Sequence, residues 1–179
     1  YLMNAVAKIG ETKYYTLQEA VAASETNETT IDVIANTAET INVQEGANIT
    51  INNINLTGSI LAPNATLKIV NGSIVNNNSN VSAIEINAGI LNLEGVDISS
   101  ARHAVRIDGA VIATIDGGTY KSAIGEGTGT YHALNIGNKT SQVAANVTIT
   151  AGTFEGPKGT TADSGSAVNV QTGSTATIE

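Results

Sequence analysis

Two acidic residues, Glu94 and Asp116, have the type and spacing that a carboxylate pair would need. Each comes one position after the last apolar residue of an alternating strand, so a fold that stacks these strands in register would place the two carboxylates side by side. Such a pair can cleave a glycosidic bond or bind Ca²⁺. The equivalent positions of the neighbouring repeats hold Val70 and Thr150, which supply no third carboxylate. The alternative interpretation, two solvated side chains on a polar face, is therefore favoured.

Tyr131 and His132 form the second candidate contact, beside a glycine-rich run at 125–129 that is predicted to be a loop. A tyrosine ring combines an apolar face with a hydroxyl group, which suits contact with a sugar. His132 and His103 share one position of the repeat, since each stands before the alanine that opens a strand. Two histidines without a carboxylate or thiolate partner make a weak metal site. We predict a glycan or host-surface ligand at Tyr131 and His132, and no metal ligand.

Other signatures of catalysis are missing from the sequence. No Ser-His-Asp spacing, P-loop or dinucleotide-binding glycine pattern occurs. Glu85 and Arg106 share a position in adjacent repeats and are predicted to form a cross-strand ion pair. We therefore predict no catalytic residue and no cofactor, and keep a polysaccharide lyase or hydrolase as the one enzyme class that is an alternative.

Nine asparagines stand in Asn-x-Ser/Thr sequons, which are acceptors for N-glycosylation in a host that glycosylates. Several fall at predicted turns, where a glycan would be accessible. Asparagine is also favoured at turns for its backbone geometry, so turn formation is the alternative explanation in a bacterial host. The nine are Asn27, Asn48, Asn55, Asn64, Asn71, Asn77, Asn80, Asn138 and Asn146.

The framework that must position these residues is an alternating apolar pattern that recurs along the chain. Residues 84–86, IEI, and 91–93, LNL, typify two strand types, with a small-residue corner at Ala88 and Gly89 between them. Copies of the second type recur at intervals of 18 to 34 residues. Stacking of the copies predicts two buried columns: Ile51, Ile69, Leu93, Ile115, Ile149 and Ile178, and Ile86, Ile107, Ile136 and Val170. A third apolar or aromatic column, in which Tyr120 and Phe154 are predicted to be core or rim residues, is Leu56, Ile74, Ile98, Tyr120 and Phe154.

Short strands that repeat about every twenty residues or more are typical of a β-solenoid, in which each strand pairs in parallel with its copy in the next turn. A βαβ fold is excluded because the connections lack the helices that its crossovers need. An antiparallel sandwich also has many short strands, but the in-phase recurrence and the rarity of hairpin turns argue against it. We predict an all-β fold, a single-stranded right-handed parallel β-helix.

The first thirty residues follow a different pattern. Residues 6–9 and 14–15 flank a turn and predict a short hairpin. Residues 16–19, TLQE, form a capping box, and the apolar spacing that follows predicts a helix over about 16–24. We predict an N-terminal cap at 1–30 and β-helix coils at 31–179, which together make one structural domain.

The C-terminal end has no predicted cap. The chain begins at Tyr1 and stops at Glu179 within a repeat, so we expect a segment of a longer protein. Strand edges that are not covered recruit other strands. We therefore expect self-association or docking through this end of the β-helix.

The composition of the chain argues against several kinds of partner and site. The formal charge is −8, and the eight Lys and Arg residues form no basic patch, which argues against nucleic acid. No apolar run has the length of a membrane span, so no membrane insertion is expected. The chain has no cysteine, and a disulfide framework or a thiolate metal site is therefore excluded.

Residues 6–21, VAKIGETKYYTLQEAV, resemble the capping segment of right-handed parallel β-helix (pectate-lyase-like) domains in large secreted or surface-anchored bacterial proteins. The strand that usually follows such a cap is matched by residues 30–34, TIDVI. The resemblance implies an extracellular, cell-surface setting and no particular reaction. We predict a non-catalytic structural or adhesive module, such as a surface stalk, an adhesin segment or a filament subunit. The alternative is a carbohydrate-binding or carbohydrate-active β-helix centred on Glu94 and Asp116.

Overall fold

The computed structural model describes residues 4–24, 27–122, 130–138, 140, 143–157, 165–171 and 173–179. Within them the chain is all-β with one helix, and its strands form one mixed sheet of 12 strands. The predicted loop at 125–129 lies outside the described residues. The elements are the helix α1 (Leu17–Ala23) and the strands β1 (Ala7–Ile9), β2 (Thr12–Tyr14), β3 (Thr29–Val33), β4 (Thr37–Asn42), β5 (Asn48–Ala62), β6 (Ala65–Asn76), β7 (Ile84–Ser100), β8 (Val105–Lys121), β9 (Leu134–Ile136), β10 (Asn146–Glu155), β11 (Val168–Val170) and β12 (Thr175–Ile178).

The N-terminal hairpin and helix agree with the sequence prediction. Strands β1 and β2 pair antiparallel, and Gly10 makes the turn between them with a φ of 56°. The hydroxyl group of Thr16 accepts from the N–H of Glu19 over 3.0 Å, and the Glu19 carboxylate accepts from the N–H of Thr16 over 3.2 Å. These two bonds are the predicted capping box, and α1 runs from there to Ala23.

Among the described residues, the strands from β3 onward pair with one another in parallel, and the antiparallel pairings are those of β1 with β2 and with β3. The main path of the sheet runs β11-β9-β8-β7-β6-β5-β3-β1-β2, with β4, β10 and β12 joined beside it. Parallel neighbours need a connection that returns to the same end of the strand. The antiparallel sandwich that competed at the level of sequence is therefore excluded for the described residues.

The predicted columns are in register. The first column begins one strand earlier than expected, because Ile31 of β3 lies opposite Ile51. Two burial predictions are wrong: Val170 is 43% exposed and Ile178 is 76% exposed, since β11 and β12 each have a described strand on one side only. The register runs through Ile31, Ile51, Ile69, Leu93, Ile115, Ile149 and Ile178, through Ile86, Ile107, Ile136 and Val170, and through Leu56, Ile74, Ile98, Tyr120 and Phe154.

The central strands are longer than the sequence pattern suggests, because they continue through the positions predicted to be corners. Strands β7 and β8 each contain 17 residues, and the predicted corner at Ala88 and Gly89 lies inside β7. At a shared position of the repeat, each of the strands β5 to β8 has a residue in the left-handed region, where glycine and asparagine are tolerated best. The residues there are Asn53, Asn71, Gly95 and Gly117, with φ between 55° and 81°.

The core between these strands is almost entirely aliphatic, and Tyr120 is its largest fully buried side chain. The Tyr120 ring stacks on that of Phe154, with centroids 4.8 Å apart and an angle of 11°. Its hydroxyl group donates to the carbonyl oxygen of Gly117 over 3.0 Å. Burial, with Asp97 and Asp116 nearby, raises the pKa of Tyr120. Tyr120 therefore lies in the core, which is one of the two places, core or rim, that its position in the repeat predicts.

Candidate functional site

Glu94 and Asp116 are neighbours, as predicted, because β7 and β8 pair with these two residues in register. Each carboxylate already has a partner on the next strand. Glu94 Oε1 lies 2.6 Å from Lys68 Nζ, and Asp116 Oδ1 accepts from Thr150 Oγ1 over 3.0 Å. No cluster of three His, Cys, Asp or Glu with the geometry of a metal site occurs among the described residues. The arrangement is that of two charged side chains paired along a polar face.

Tyr131 and His132 lie in a different place, together with Arg102 and His103; these four residues are called the corner cluster below. The imidazole rings of His103 and His132 are stacked, with centroids 5.4 Å apart and an angle of 14°. The Tyr131 ring meets His103 edge to face, with a centroid distance of 5.6 Å. The Arg102 guanidinium lies 5.8 Å from the centre of the Tyr131 ring. The cluster presents one half-buried aromatic ring beside one cation.

The corner cluster is positioned by the strand ladder on either side of it. His103 and His132 each precede an alanine and then the first residue of β8 or β9, and Val105 and Leu134 pair in register. Arg102 is held by its own N–H, which donates to Ser100 Oγ over 3.1 Å, and by Nη1, which donates to the carbonyl oxygen of Asn80. Its Nε is buried and has no hydrogen-bond partner among the described residues.

Both histidines accept hydrogen bonds from the main chain. The N–H of His132 donates to His103 Nδ1 over 2.9 Å, and the N–H of Ser166 donates to His132 Nδ1 over 3.0 Å. Burial, together with the nearby His132, Arg102 and Arg106, lowers the pKa of His103 to about 4, although a contact with the His132 backbone acts in the opposite direction. Burial also lowers the pKa of His132. The pair is therefore neutral at pH 7, and both Nδ1 atoms are already engaged.

Arg106 forms the predicted ion pair with Glu85, with Nη1 and Oε2 3.6 Å apart. Asp108 is a closer partner, which the sequence did not predict. Arg106 Nε donates to Asp108 Oδ1 over 2.9 Å, and Arg106 Nη2 lies 2.6 Å from Asp108 Oδ2. Glu85 and Asp108 line an open cleft of about 420 Å³, and Asn87 and Asn138 are also part of its lining. Because Arg106 binds Asp108 in a bidentate manner, the Asp108 carboxylate is fixed as an acceptor.

Sequence reasoning identified Tyr131 and His132 but missed Arg102 and His103 as members of the same cluster. The available signal was the shared position of His103 and His132 in the repeat. From sequence alone this position indicates a weak metal site or a corner that tolerates polar residues, because sequence position does not reveal that the two rings stack. Arg102 gave no signal for this cluster, since its contact with Tyr131 joins residues that are far apart in the sequence.

The nine sequon asparagines are mostly on the surface. Asn48 and Asn138 are half-buried, and the other seven are exposed. Asn71 also occupies the left-handed position of the repeat, so it has a backbone role of its own. Exposure is the condition that glycosylation requires, and turn geometry is the alternative role that asparagine serves at Asn71.

No protein-family model, curated protein or solved structure matches this chain. Its only helix within the described residues, α1, has seven residues, and none of the described helices is long and apolar enough to cross a membrane.

Proposed function

We propose that the chain is a single-stranded right-handed parallel β-helix that serves as a rigid, non-catalytic structural or adhesive module of a secreted or cell-surface protein. The observation that carries the proposal is the register of one residue position through seven strands, from Ile31 to Ile178. In-register parallel strands at a spacing of about 4.8 Å stack equivalent side chains on one another. A chain built in this way resists bending along the stack because each turn packs on the next.

The charged side chains support a structural role. Lys68 pairs with Glu94, Lys121 with Glu155, and Arg106 with Glu85, in each case across neighbouring strands. Pairs as exposed as these contribute at most about 1 kcal/mol each. They neutralise one another within the face rather than leaving a free carboxylate pair, which is the arrangement that glycoside cleavage needs.

The two ends of the strand stack differ, and the difference favours a second copy of the chain as the partner. At the N-terminal end β1 lies along β3, and α1 packs against β4. At the other end Val170 and Ile178 are exposed on β11 and β12. We propose that this end pairs with the strands of a second copy of the chain, because exposed parallel strand edges accept further strands. Sedimentation of the wild type and of Ile178→Lys at high concentration tests this proposal. A monomer for both proteins contradicts self-association.

A screen of degradation products tests the non-catalytic role. Neutral and acidic polysaccharides are incubated with the wild-type chain and with Glu94→Gln/Asp116→Asn, and reducing ends and unsaturated products are measured. The proposal predicts no product with either protein. Product formed by the wild type and lost in the double variant would show that the carboxylate pair is catalytic.

Carbohydrate binding is the second candidate function, and the corner cluster favours it. Tyr131 offers a half-buried ring with Arg102 beside it, which is a combination that sugar contacts use. A glycan array compares the wild type with Tyr131→Ala and with Tyr15→Ala, a matched control at an exposed tyrosine outside the corner cluster. Binding lost only in Tyr131→Ala supports a glycan site at the corner, and no binding by the wild type contradicts it.

A further inference from the structure

The geometry of the stacked imidazoles points to a role that the structural module does not by itself require. We propose that His103 and His132 form an acid-sensitive latch, which holds β9 and β11 against β8 at neutral pH and releases them when the imidazoles take up protons.

The first support is the position of the Nδ1 atoms in the main-chain network. His103 Nδ1 accepts the N–H of His132 over 2.9 Å, and His132 Nδ1 accepts the N–H of Ser166 over 3.0 Å. Three successive turns are thus joined through two side chains. An Nδ1 that accepts an N–H must carry a lone pair, so this geometry requires the neutral imidazole with its proton on Nε2. A protonated Nδ1 would instead face a donor.

Contacts with the opposite preference exist at both rings. His132 Nδ1 also lies 3.0 Å from Ser166 Oγ, which can accept from a protonated ring, so His103 carries the argument. The opposing contact of His103 is the weaker of its two. His103 Nδ1 lies 3.3 Å from the carbonyl oxygen of His132, to which a protonated Nδ1 could donate. This distance is 0.4 Å longer than the one to the N–H (3.3 − 2.9). Protonation of His103 exchanges a well-placed bond for a longer one and leaves the N–H of His132 without its acceptor.

The surroundings oppose a positive charge. His103 is only 7% exposed, and its ring lies against that of His132. The charged groups that act on His103 are Arg102 and Arg106, and Tyr131 faces its ring. No carboxylate of the described residues acts on either histidine. Two imidazolium ions stacked beside two arginines repel one another, and burial limits the screening by water.

The strands that depend on the latch are short. β9 and β11 have three residues each, and β11 pairs with β9 alone among the described strands. β10 is different, because its residues pair with β8 over most of its length. At the equivalent corner one turn earlier stands Ser82, whose buried hydroxyl group has no partner among the described residues. The latch therefore begins at His103, and its loss affects β9 and β11 before β10.

The sign of the pH dependence follows from the direction of the shift. A histidine whose pKa is lower in the folded state favours folding while it is neutral. Its contribution is complete above about pH 6.5 and is lost as the pH falls towards 4. For His103 alone, this shift corresponds to a loss of protection on the order of 100-fold between pH 7 and pH 4.

Hydrogen exchange, corrected for the intrinsic pH dependence of exchange, tests the latch. The protection of 134–136 and 168–170 is compared with that of 146–155 from pH 7 to pH 4. The wild type is compared with His103→Asn/His132→Asn, because the asparagine Oδ1 replaces Nδ1 as an acceptor and does not ionise. We expect a loss of about 100-fold in β9 and β11 of the wild type and less than about threefold in the variant.

A flat wild-type profile, or an equal loss in the variant, overturns the proposal. If the variant does not fold, the ring nitrogen shifts of the wild-type histidines decide the question. A pKa of His103 at or above 6.5, or a tautomer with the proton on Nδ1, overturns the latch as well. A pKa well below 6.5 with the proton on Nε2 supports it.

Discussion

The side-chain amide of Gln18 pairs with the main chain of Asn42 as a neighbouring strand would. Gln18 Oε1 accepts the N–H of Asn42 over 2.6 Å, and Gln18 Nε2 donates to the carbonyl oxygen of Asn42 over 3.2 Å. Gln18 is on α1 and Asn42 is the last residue of β4. The helix thus supplies the hydrogen bonds that the edge of β4 lacks, and an edge satisfied in this way does not recruit another strand.

Gln18→Leu is expected to lower the free energy of unfolding by about 1 to 2 kcal/mol, because two main-chain groups lose their partners. It is also expected to increase aggregation, because the edge of β4 becomes available. Chemical denaturation and light scattering measure the two effects. Gln44→Leu is the matched control, since Gln44 is exposed and next to the same strand. Equal effects of the two substitutions contradict a capping role for Gln18.

Glu39, on β4, accepts hydrogen bonds from the N-terminus of α1. Its two carboxylate oxygens accept the N–H of Leu17 over 2.8 Å and the N–H of Gln18 over 2.9 Å. These N–H groups have no partner within the helix, and the negative charge also suits this end of it. Glu39→Gln places an amide donor against one of the two N–H groups. We expect a loss of about 1 to 2 kcal/mol in unfolding free energy, against almost none for the exposed Glu45→Gln.

Gly118 is required by the close approach of two turns. A methyl group at this position would lie 2.1 Å from the carbonyl oxygen of Val96, and the φ of Gly118 is 85°. Gly118→Ala is therefore expected to cost more than about 3 kcal/mol. Gly10→Ala is the control. Gly10 also has a positive φ, of 56°, but a methyl group added there would have no other atom within 4 Å. It should cost only about 1 kcal/mol in thermal or chemical unfolding. Similar costs at the two positions contradict the close stacking of the turns.

Tyr120 contributes to stability mainly through its ring. Tyr120→Ala removes a fully buried aromatic side chain and its stack on Phe154, and should cost about 3 to 5 kcal/mol. Tyr120→Phe keeps the stack and removes only the hydrogen bond to Gly117, so about 1 kcal/mol is expected. Chemical denaturation separates the two values. A loss for Tyr120→Phe as large as that for Tyr120→Ala would show that the hydroxyl group, and not the stack, carries the stabilisation.

The sequence predicted the parts of this structure that depend on period and local pattern. The capping box at Thr16 and Glu19 is a local signal, and the apolar columns follow from repetition. The exposure of the last strands could not be predicted from the pattern. Ile178 has the pattern of a buried residue, and it is exposed because β12 pairs with β10 alone among the described strands.

The candidate site was less predictable, because its geometry arises between turns. Glu94 and Asp116 are adjacent as their spacing required, but their partners Lys68 and Thr150 stand on further strands. The stacking of His103 on His132 depends on a main-chain N–H that points at a ring nitrogen. Repeat position brings such residues to one corner and does not determine which atoms face one another.

Distances along one column of exposed and half-buried residues test the proposed β-helix most directly. The chain has no cysteine, so spin labels can be placed in pairs without removing native thiols. One column runs in register through Thr30, Thr50, Lys68, Asn92, Thr114, Thr148 and Thr177. Pulsed electron paramagnetic resonance on a label at position 30, paired with labels at 92, 148 and 177, should give backbone separations of about 14, 24 and 29 Å, since each strand adds about 4.8 Å. Distances that fail to increase in this order contradict the stacked-turn account.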